Sequence, residues 1–220
     1  MKLDMHVHSC YSFDGKVMVA DAIKAALKMG LSGLCLADHN NPNGNVEARK
    51  VAQKGFIVVP GCEVSSAEGH ILCYGTLDEI PKHLGIAETI ERIRDAGGIA
   101  VAAHPFRLNH GIGGAAVRKY KFDGIESFNA RNILPRSNWK ADALALECSC
   151  GKTGGSDAHI PRHIGLGYLT IEEAASADDV VEAIRKRKTG AGGTGISLGD
   201  GIKGMGLSFW EWARRKGDKI

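Results

Sequence analysis

The feature that most constrains the fold of this sequence is a repeated alternation of short apolar strands with amphipathic helical segments. The first pair is a strand over 3–8 and a helix over 19–29, in which Ala22, Ile23 and Ala26 share one face. About seven βα repeats of this kind fit in the chain, and such repeats predict a mostly parallel sheet covered by helices. Because 220 residues suffice for one hydrophobic core, we expect a single domain over 1–220.

Histidine, aspartate or glutamate stands at or near the end of almost every predicted strand. The residues concerned are His6, His8, Asp14, His39, Glu63, His70, His104, Asp157 and His159. A barrel brings all its strand ends to one face, where such folds carry their chemistry. An open doubly wound sheet would instead carry a glycine-rich phosphate-binding turn after its first strand, which this sequence lacks. The pattern therefore favours an α/β barrel with one polar site.

These residue types indicate a transition-metal site. His6 and His8 are two residues apart on a strand, so both side chains project from the same face. Imidazole and carboxylate ligands together favour zinc, manganese or iron. The carboxylates of Asp14, Glu63 and Asp157 give the empty pocket a charge of −3, so we expect two or three divalent cations. These would leave the pocket positive and attractive to a phosphate ester.

Several motifs together resemble the PHP (polymerase and histidinol phosphatase) family. They are the segments 6–15, 37–40, 61–63, 69–70, 103–105 and 155–159. The resemblance implies a distorted (β/α)7 barrel and a metal-dependent phosphoesterase. It also implies three metals: one held by His6, His8, Glu63 and Asp157; a second bridged by Glu63 and held by His70 and His104; a third held by Asp14, His39 and His159.

The expected reaction is hydrolysis of a phosphoester by a hydroxide bound to these metals. Glu63, Asp157 and His159 are the predicted catalytic residues. Arg107, Arg131 and Arg162 each follow a strand end by a few residues and are predicted to bind the substrate phosphate, since a guanidinium can contact it bidentately. The competing interpretation for each is a solvated loop arginine.

The chain length is similar to that of the short, single-domain PHP branch, which includes enzymes acting on nucleoside 3′,5′-bisphosphates and RNA 5′ ends. This resemblance implies a nucleotide bisphosphate or a nucleic-acid 5′ end as substrate. The net charge of +3, from 28 basic and 25 acidic residues, offers no extended basic surface for a long duplex.

Three alternative functions stay open. A histidinol-phosphate phosphatase would use the same metals. A non-catalytic metal-binding accessory module would bind nucleic acid or a partner, but should lack some of the nine ligand residues, and all nine are present. An amide or lactone hydrolase could use a similar centre, because barrel hydrolases share such sites.

The remaining features give general expectations. Six cysteines without CxxC spacing indicate reduced thiols. The apolar runs are far shorter than the roughly 20 residues that span a bilayer, and the N-terminus shows no basic-then-apolar leader, so we expect a cytoplasmic protein. We expect one strand over 55–63, an irregular glycine-rich connection over 189–206 and a C-terminal helix over 207–217. His83, His110 and His163 lie outside the motifs and are expected to be structural or solvent-facing.

Overall fold

The computed structural model describes residues 1–197 and 199–200, and this part of the chain contains ten strands and six α-helices. The strands are β1 (Lys2–Val7), β2 (Gly33–Leu36), β3 (Ile57–Val58), β4 (Gly61–Ser66), β5 (Gly69–Tyr74), β6 (Ile99–Ala102), β7 (Gly124–Asn129), β8 (Gly151–Gly155), β9 (Gly167–Thr170) and β10 (Gly190–Gly193). The helices are α1 (Val19–Lys28), α2 (Asn43–Val51), α3 (Ile86–Asp95), α4 (Gly113–Lys119), α5 (Pro135–Glu147) and α6 (Ala177–Arg185), with a 3₁₀ turn at Pro161–His163.

One continuous sheet runs in the order β3-β2-β1-β9-β8-β7-β6-β5-β4, and β10 pairs with β9. The pairs β1–β2, β2–β3, β6–β7 and β7–β8 are parallel, whereas β5 and β9 run antiparallel to both of their neighbours along this path. A parallel bridge between His39 and Glu63 joins the end of β2 to β4 and brings the two edges of the sheet together. The predicted α/β barrel is confirmed, and the antiparallel strands are its distortion.

The helices form where apolar residues recur with helical spacing. In α1 the buried residues are Val19, Ala22, Ile23 and Ala26, which place one apolar stripe against the sheet. Helix α1 is followed by Gly30, whose φ of +71° is a left-handed conformation that glycine adopts without steric cost.

Helix α6 covers the amino-terminal end of the barrel. A Cβ atom at Gly124, the first residue of β7, would lie 3.2 Å from Ile184 Cγ2, and one at Gly75, directly after the antiparallel β5, would lie 3.5 Å from Val181 Cγ1. Inside the barrel the buried Tyr74 hydroxyl donates a hydrogen bond to the Met5 carbonyl at 2.8 Å. The opposite end, where the parallel strands finish, is therefore the one available for a site.

Two sequence predictions are corrected. The single strand expected over 55–63 is divided into β3 and β4 around Pro60, which has no N–H group to continue a strand ladder. The connection over 189–206 is not irregular throughout, because Gly190–Gly193 forms β10 against β9. Glycine suits this strand, since a Cβ atom at Gly193 would collide with the Leu166 carbonyl oxygen. The helix predicted over 207–217 lies outside the described residues.

No helix within the described residues is long and apolar enough to cross a membrane.

Candidate metal centre

All nine metal-binding candidates meet at the carboxyl end of the parallel strands. His6 and Glu63 lie within β1 and β4, and His70 lies at the start of the antiparallel β5. Asp14 lies in the turn after β1, and the others follow the end of a strand by one to four residues. Five overlapping groups place one donor atom of each residue within 4.8 Å of the others: His6, His104 and Asp157; His6, His8 and Glu63; His8, Asp157 and His159; His8, Asp14 and His39; His39, Glu63 and His70.

Glu63 lies at the middle of this cluster and is almost fully buried, with 1% of its surface exposed. Its Oε1 is 3.0 Å from His70 Nδ1 and 3.0 Å from His104 Nε2. Its Oε2 is 3.3 Å from His39 Nδ1 and 3.4 Å from Nε2 of both His6 and His8. One carboxylate thus contacts five imidazole rings.

Electrostatics keep Glu63 ionised. Desolvation by burial opposes the charge, but the nearby His70, His6 and His39 outweigh it and hold the pKa of Glu63 well below its ordinary value. In the same way, desolvation would lower the pKa of His6, yet Glu126, Glu63 and Asp157 raise it well above its ordinary value. The pocket therefore favours positive charge.

Asp14 and Asp157 carry the other two negative charges of the predicted ligand set. Asp14 Oδ2 is 2.9 Å from His159 Nε2 and 3.5 Å from His39 Nε2. Asp157 Oδ1 is 3.4 Å from His8 Nε2. Although burial opposes ionisation of both carboxyls, the hydrogen bonds from His159 and His39 lower the pKa of Asp14, and Arg107 and the buried His6 lower that of Asp157.

The donor set fits divalent transition metals. Three buried ring nitrogens, His39 Nδ1, His70 Nε2 and His104 Nδ1, make no hydrogen bond, a cost that buried polar groups seldom bear without a ligand. His6 Nε2 and His8 Nε2 lie 3.1 Å apart, so one divalent cation would be held by both rings in their neutral form. Burial lowers the pKa of His104 and His159 to about 4, so both rings are neutral at pH 7, the form that binds metals.

The structure separates the three predicted phosphate-binding arginines. Arg107 Nη1 donates to Asp157 Oδ2 at 2.7 Å, and Arg131 Nη1 donates to Asp157 Oδ1 at 3.4 Å. Both guanidinium groups therefore border the cluster. Arg162 instead donates to Asp200 at 2.7 Å and has a side chain that is 66% exposed. The geometry does not bring it to the nine residues.

Sequence reasoning missed Glu126 and left the role of Asn129 open. Glu126 is 1% exposed and lies 2.9 Å from His6 Nδ1. Asn129 Nδ2 donates to Glu126 Oε2 at 3.0 Å and to Asp157 Oδ2 at 3.2 Å, while its Oδ1 accepts from Arg107 at 2.7 Å. The available signal for Glu126 was a charged residue in the middle of the short predicted strand 124–128, which is unusual for a strand buried on both faces.

One histidine outside the motifs also reaches the cluster. The His110 ring stacks on His70 with centroids 4.7 Å apart and planes 12° from parallel. The remaining two histidines outside the motifs take other positions: His83 is exposed, and His163 Nε2 lies 3.5 Å from Asp200.

Comparison with known proteins gives one matching family model, described as PHP-associated, over residues 135–189. An uncharacterised protein of Methanocaldococcus jannaschii is 36% identical over 141 residues, which are 59% of this chain and 82% of that protein. A probable histidinol-phosphatase of Thermotoga maritima is 34% identical over 70 residues, 29% of this chain and 30% of that protein.

Among solved structures, a two-domain protein of Bacteroides vulgatus containing a predicted PHP-like metal-dependent phosphoesterase has a similar fold. The TM-score is 0.72 at 21% sequence identity, and the match covers 87% of this chain and 64% of that chain. The chain described above thus spans just under two thirds of that two-domain protein.

Proposed function

This chain belongs to the PHP family, and we propose that it is a metal-dependent phosphoesterase that hydrolyses a small phosphate ester, a nucleotide bisphosphate or a nucleic-acid 5′ end. The observation that carries the proposal is the convergence of six histidines and two aspartates around Glu63. Such a mixture of nitrogen and oxygen donors is suited to zinc, manganese or iron.

The proposed ligand sets follow the family pattern. His6, His8, Glu63 and Asp157 would hold one metal, Glu63 with His70 and His104 a second, and Asp14, His39 and His159 a third. The overlapping donor groups support these sets, since Glu63 contacts residues assigned to all three. Two or three divalent cations bound here would supply a water activated at neutral pH and neutralise the phosphoryl oxygens.

The chain's own residues would orient the substrate and the metals. Glu63 sets the separation between ligand groups because its two oxygens contact different histidines. Asp157 holds Arg107 and Arg131 beside the cluster, and these guanidinium groups would contact phosphate oxygens bidentately. His159, with a pKa of about 4, is neutral at pH 7, so it is suited to hold metal and unsuited to donate a proton.

The electrostatic balance favours an anionic substrate. Asp14, Glu63 and Asp157 contribute a charge of −3 and the adjacent Glu126 contributes −1, while Arg107 and Arg131 contribute +2 at the edge of the site. Two or three divalent cations would make the region strongly positive within a mostly buried pocket, where charges are poorly screened. One or two phosphates suit this field better than a long duplex, since the whole chain carries a net charge of only +3.

A histidinol-phosphate phosphatase is the second candidate. The 70-residue match to the probable histidinol-phosphatase of Thermotoga maritima favours it. That match covers less than a third of either chain, so the two substrates are best compared directly.

The test is an assay of the purified protein with manganese or zinc against four substrates: adenosine 3′,5′-bisphosphate, a 5′-phosphorylated single-stranded oligonucleotide, histidinol phosphate and a simple amide. We expect phosphate release from the bisphosphate or the oligonucleotide, and loss of the activity after chelation. A His83→Ala variant is the matched control, because this exposed histidine lies outside the nine-residue cluster, and its rate should equal that of the wild type. Turnover of histidinol phosphate alone would favour the second candidate, and turnover of the amide alone would refute the phosphoesterase proposal.

A further inference from the structure

Glu126 is a buried carboxylate next to the proposed metal ligands, and both of its oxygens are used. It lies in the middle of β7 and is 1% exposed. Its Oε1 is 2.9 Å from His6 Nδ1. Its Oε2 accepts hydrogen bonds from the backbone N–H of His104 at 2.8 Å and from Asn129 Nδ2 at 3.0 Å. Glu126 thus connects three segments that follow or form three different strands.

The contact with His6 determines which ring nitrogen carries the proton. A carboxylate can only accept a hydrogen bond, so its partner Nδ1 must be protonated. In the neutral ring the lone pair then lies on Nε2. His6 Nε2 faces the cluster, 3.1 Å from His8 Nε2 and 3.4 Å from Glu63 Oε2. Glu126 therefore directs the donor atom of His6 toward the metal site.

The contacts of Oε2 place two further groups. His104 has a φ of +25°, a conformation that is costly for a residue with a Cβ atom and that persists only where neighbouring contacts hold it. The hydrogen bond that the His104 N–H donates to Glu126 Oε2 is one such contact. The bond to Asn129 turns the amide so that its oxygen accepts from Arg107 at 2.7 Å.

We propose that Glu126 is a positioning residue of the metal centre, which fixes the Nδ1-protonated form of His6 and holds the backbone of His104 and the amide of Asn129 in place. The inference rests on the metal site of the proposed function. Removing an outer carboxylate of this kind weakens metal affinity by roughly 10- to 100-fold in proteins where it orients a histidine ligand.

Glutamine at this position cannot satisfy all three partners and also leave the lone pair of His6 on Nε2. If its amide oxygen faces His6, its NH2 group points at two donors, the His104 N–H and Asn129 Nδ2. If the amide is turned the other way, its NH2 group faces His6 Nδ1 and favours the ring form protonated at Nε2, which cannot bind metal through that atom. The first orientation leaves two buried donors without an acceptor, and the second takes His6 Nε2 out of the ligand set.

The experiment has two readouts on the full chain. The wild type and the variants Glu126→Gln and Glu182→Gln are first freed of metal with a chelator, and zinc is then titrated into each by calorimetry. Glu182 is an exposed helical carboxylate paired with Lys186 and serves as the matched control. We expect zinc affinity to fall by about 10- to 100-fold in Glu126→Gln and to stay unchanged in Glu182→Gln. Long-range ¹H–¹⁵N spectra of the zinc-loaded wild type, with His6 assigned by a His6→Gln variant, should show His6 protonated at Nδ1.

The outcomes separate this inference from the proposed function. Wild-type protein that binds no zinc would overturn both. Wild-type protein that binds zinc while Glu126→Gln binds it equally well would overturn the positioning role alone. If Glu126→Gln does not fold, the spectrum of the wild type decides the question, since a His6 ring protonated at Nε2 contradicts the proposal.

Discussion

Replacing Glu63 by glutamine tests the centre at its most connected residue. The substitution keeps the side-chain shape but removes the charge that contacts five imidazole rings. Because Asp14 and Asp157 are then the only carboxylates left in the proposed ligand set, we expect Glu63→Gln to lose metal and turnover together.

The size of the effect follows from the geometry. Two unit charges 4 Å apart interact by about 4 kcal/mol at an effective dielectric constant of about 20, and a divalent cation doubles this value. The substitution also relieves the repulsion among the three clustered carboxylates, which offsets a large part of the lost attraction. We therefore expect a net loss of about 2.7 kcal/mol, which corresponds to about 100-fold weaker metal binding.

Thermal denaturation with and without metal, together with the metal content after desalting, measures this loss. At a metal concentration about 100 times the wild-type dissociation constant, metal binding raises the free energy of unfolding of the wild type by about 2.7 kcal/mol. It raises that of the variant by about 0.4 kcal/mol. For a domain of this size the difference corresponds to a melting-temperature shift that is smaller by about 5–9 °C in the variant. Comparing metal-induced shifts cancels any effect of the substitution on the metal-free fold.

Glu182→Gln again provides a carboxylate-to-amide control, and its metal-induced shift should equal that of the wild type. A Glu63→Gln protein with full metal content and normal turnover would refute the argument that this carboxylate organises the site.

Three further predictions follow from the structure. Arg107→Ala and Arg131→Ala should each raise the KM for a bisphosphate by about 10- to 150-fold, because each removes a charge-assisted contact of about 1.5–3 kcal/mol; an unchanged KM in both variants would contradict their phosphate-binding role. Gly155→Ala should lower the free energy of unfolding by about 1–3 kcal/mol in urea titrations, because a Cβ atom there would collide with β1; an unchanged midpoint would count against that packing. In the metal-free protein, burial lowers the pKa of His104 and His159 to about 4, below the ordinary value of about 6.5. The unfolded chain therefore takes up protons first, and the free energy of unfolding should fall as the pH drops from about 6.5 to about 4. Urea titrations in EDTA across this range check that slope, and a flat profile would contradict it.

The sequence was sufficient to predict the barrel and the convergence of the nine residues. Histidine and carboxylate residues recur at successive strand ends, and a barrel brings its strand ends to one face. The same pattern therefore predicts both the barrel and the convergence of these residues. His6 and His8 were the clearest members, because alternate residues on a strand share a face.

Other features could not be predicted because they depend on what lies across the sheet. In the sequence, Glu126 is one charged residue in a strand. Only the structure shows that it lies beside His6 of β1 and so next to the cluster. Arg162 and Arg107 look equivalent in sequence, since each follows a strand end, but Arg162 meets Asp200 and Arg107 meets Asp157. Strand β10 is not predictable from its residues because its glycines weaken any propensity argument, although at Gly193 the close approach of the Leu166 carbonyl leaves no room for a side chain.

The bridge between His39 and Glu63 gives the metal centre a mechanical role as well. At this seam the Asn40 N–H donates to the Glu63 carbonyl at 2.9 Å, and the Glu63 N–H donates to the Asp38 carbonyl at 3.2 Å. His39 and Glu63, on the two sides of the seam, are both proposed metal ligands. Bound metal would therefore crosslink the barrel at a place where, among the described residues, only these two backbone hydrogen bonds join the segments. Without metal, the barrel should open locally at this seam more often. The amide hydrogens of Asn40 and Glu63 would then exchange with solvent faster than those of the continuous strand ladders.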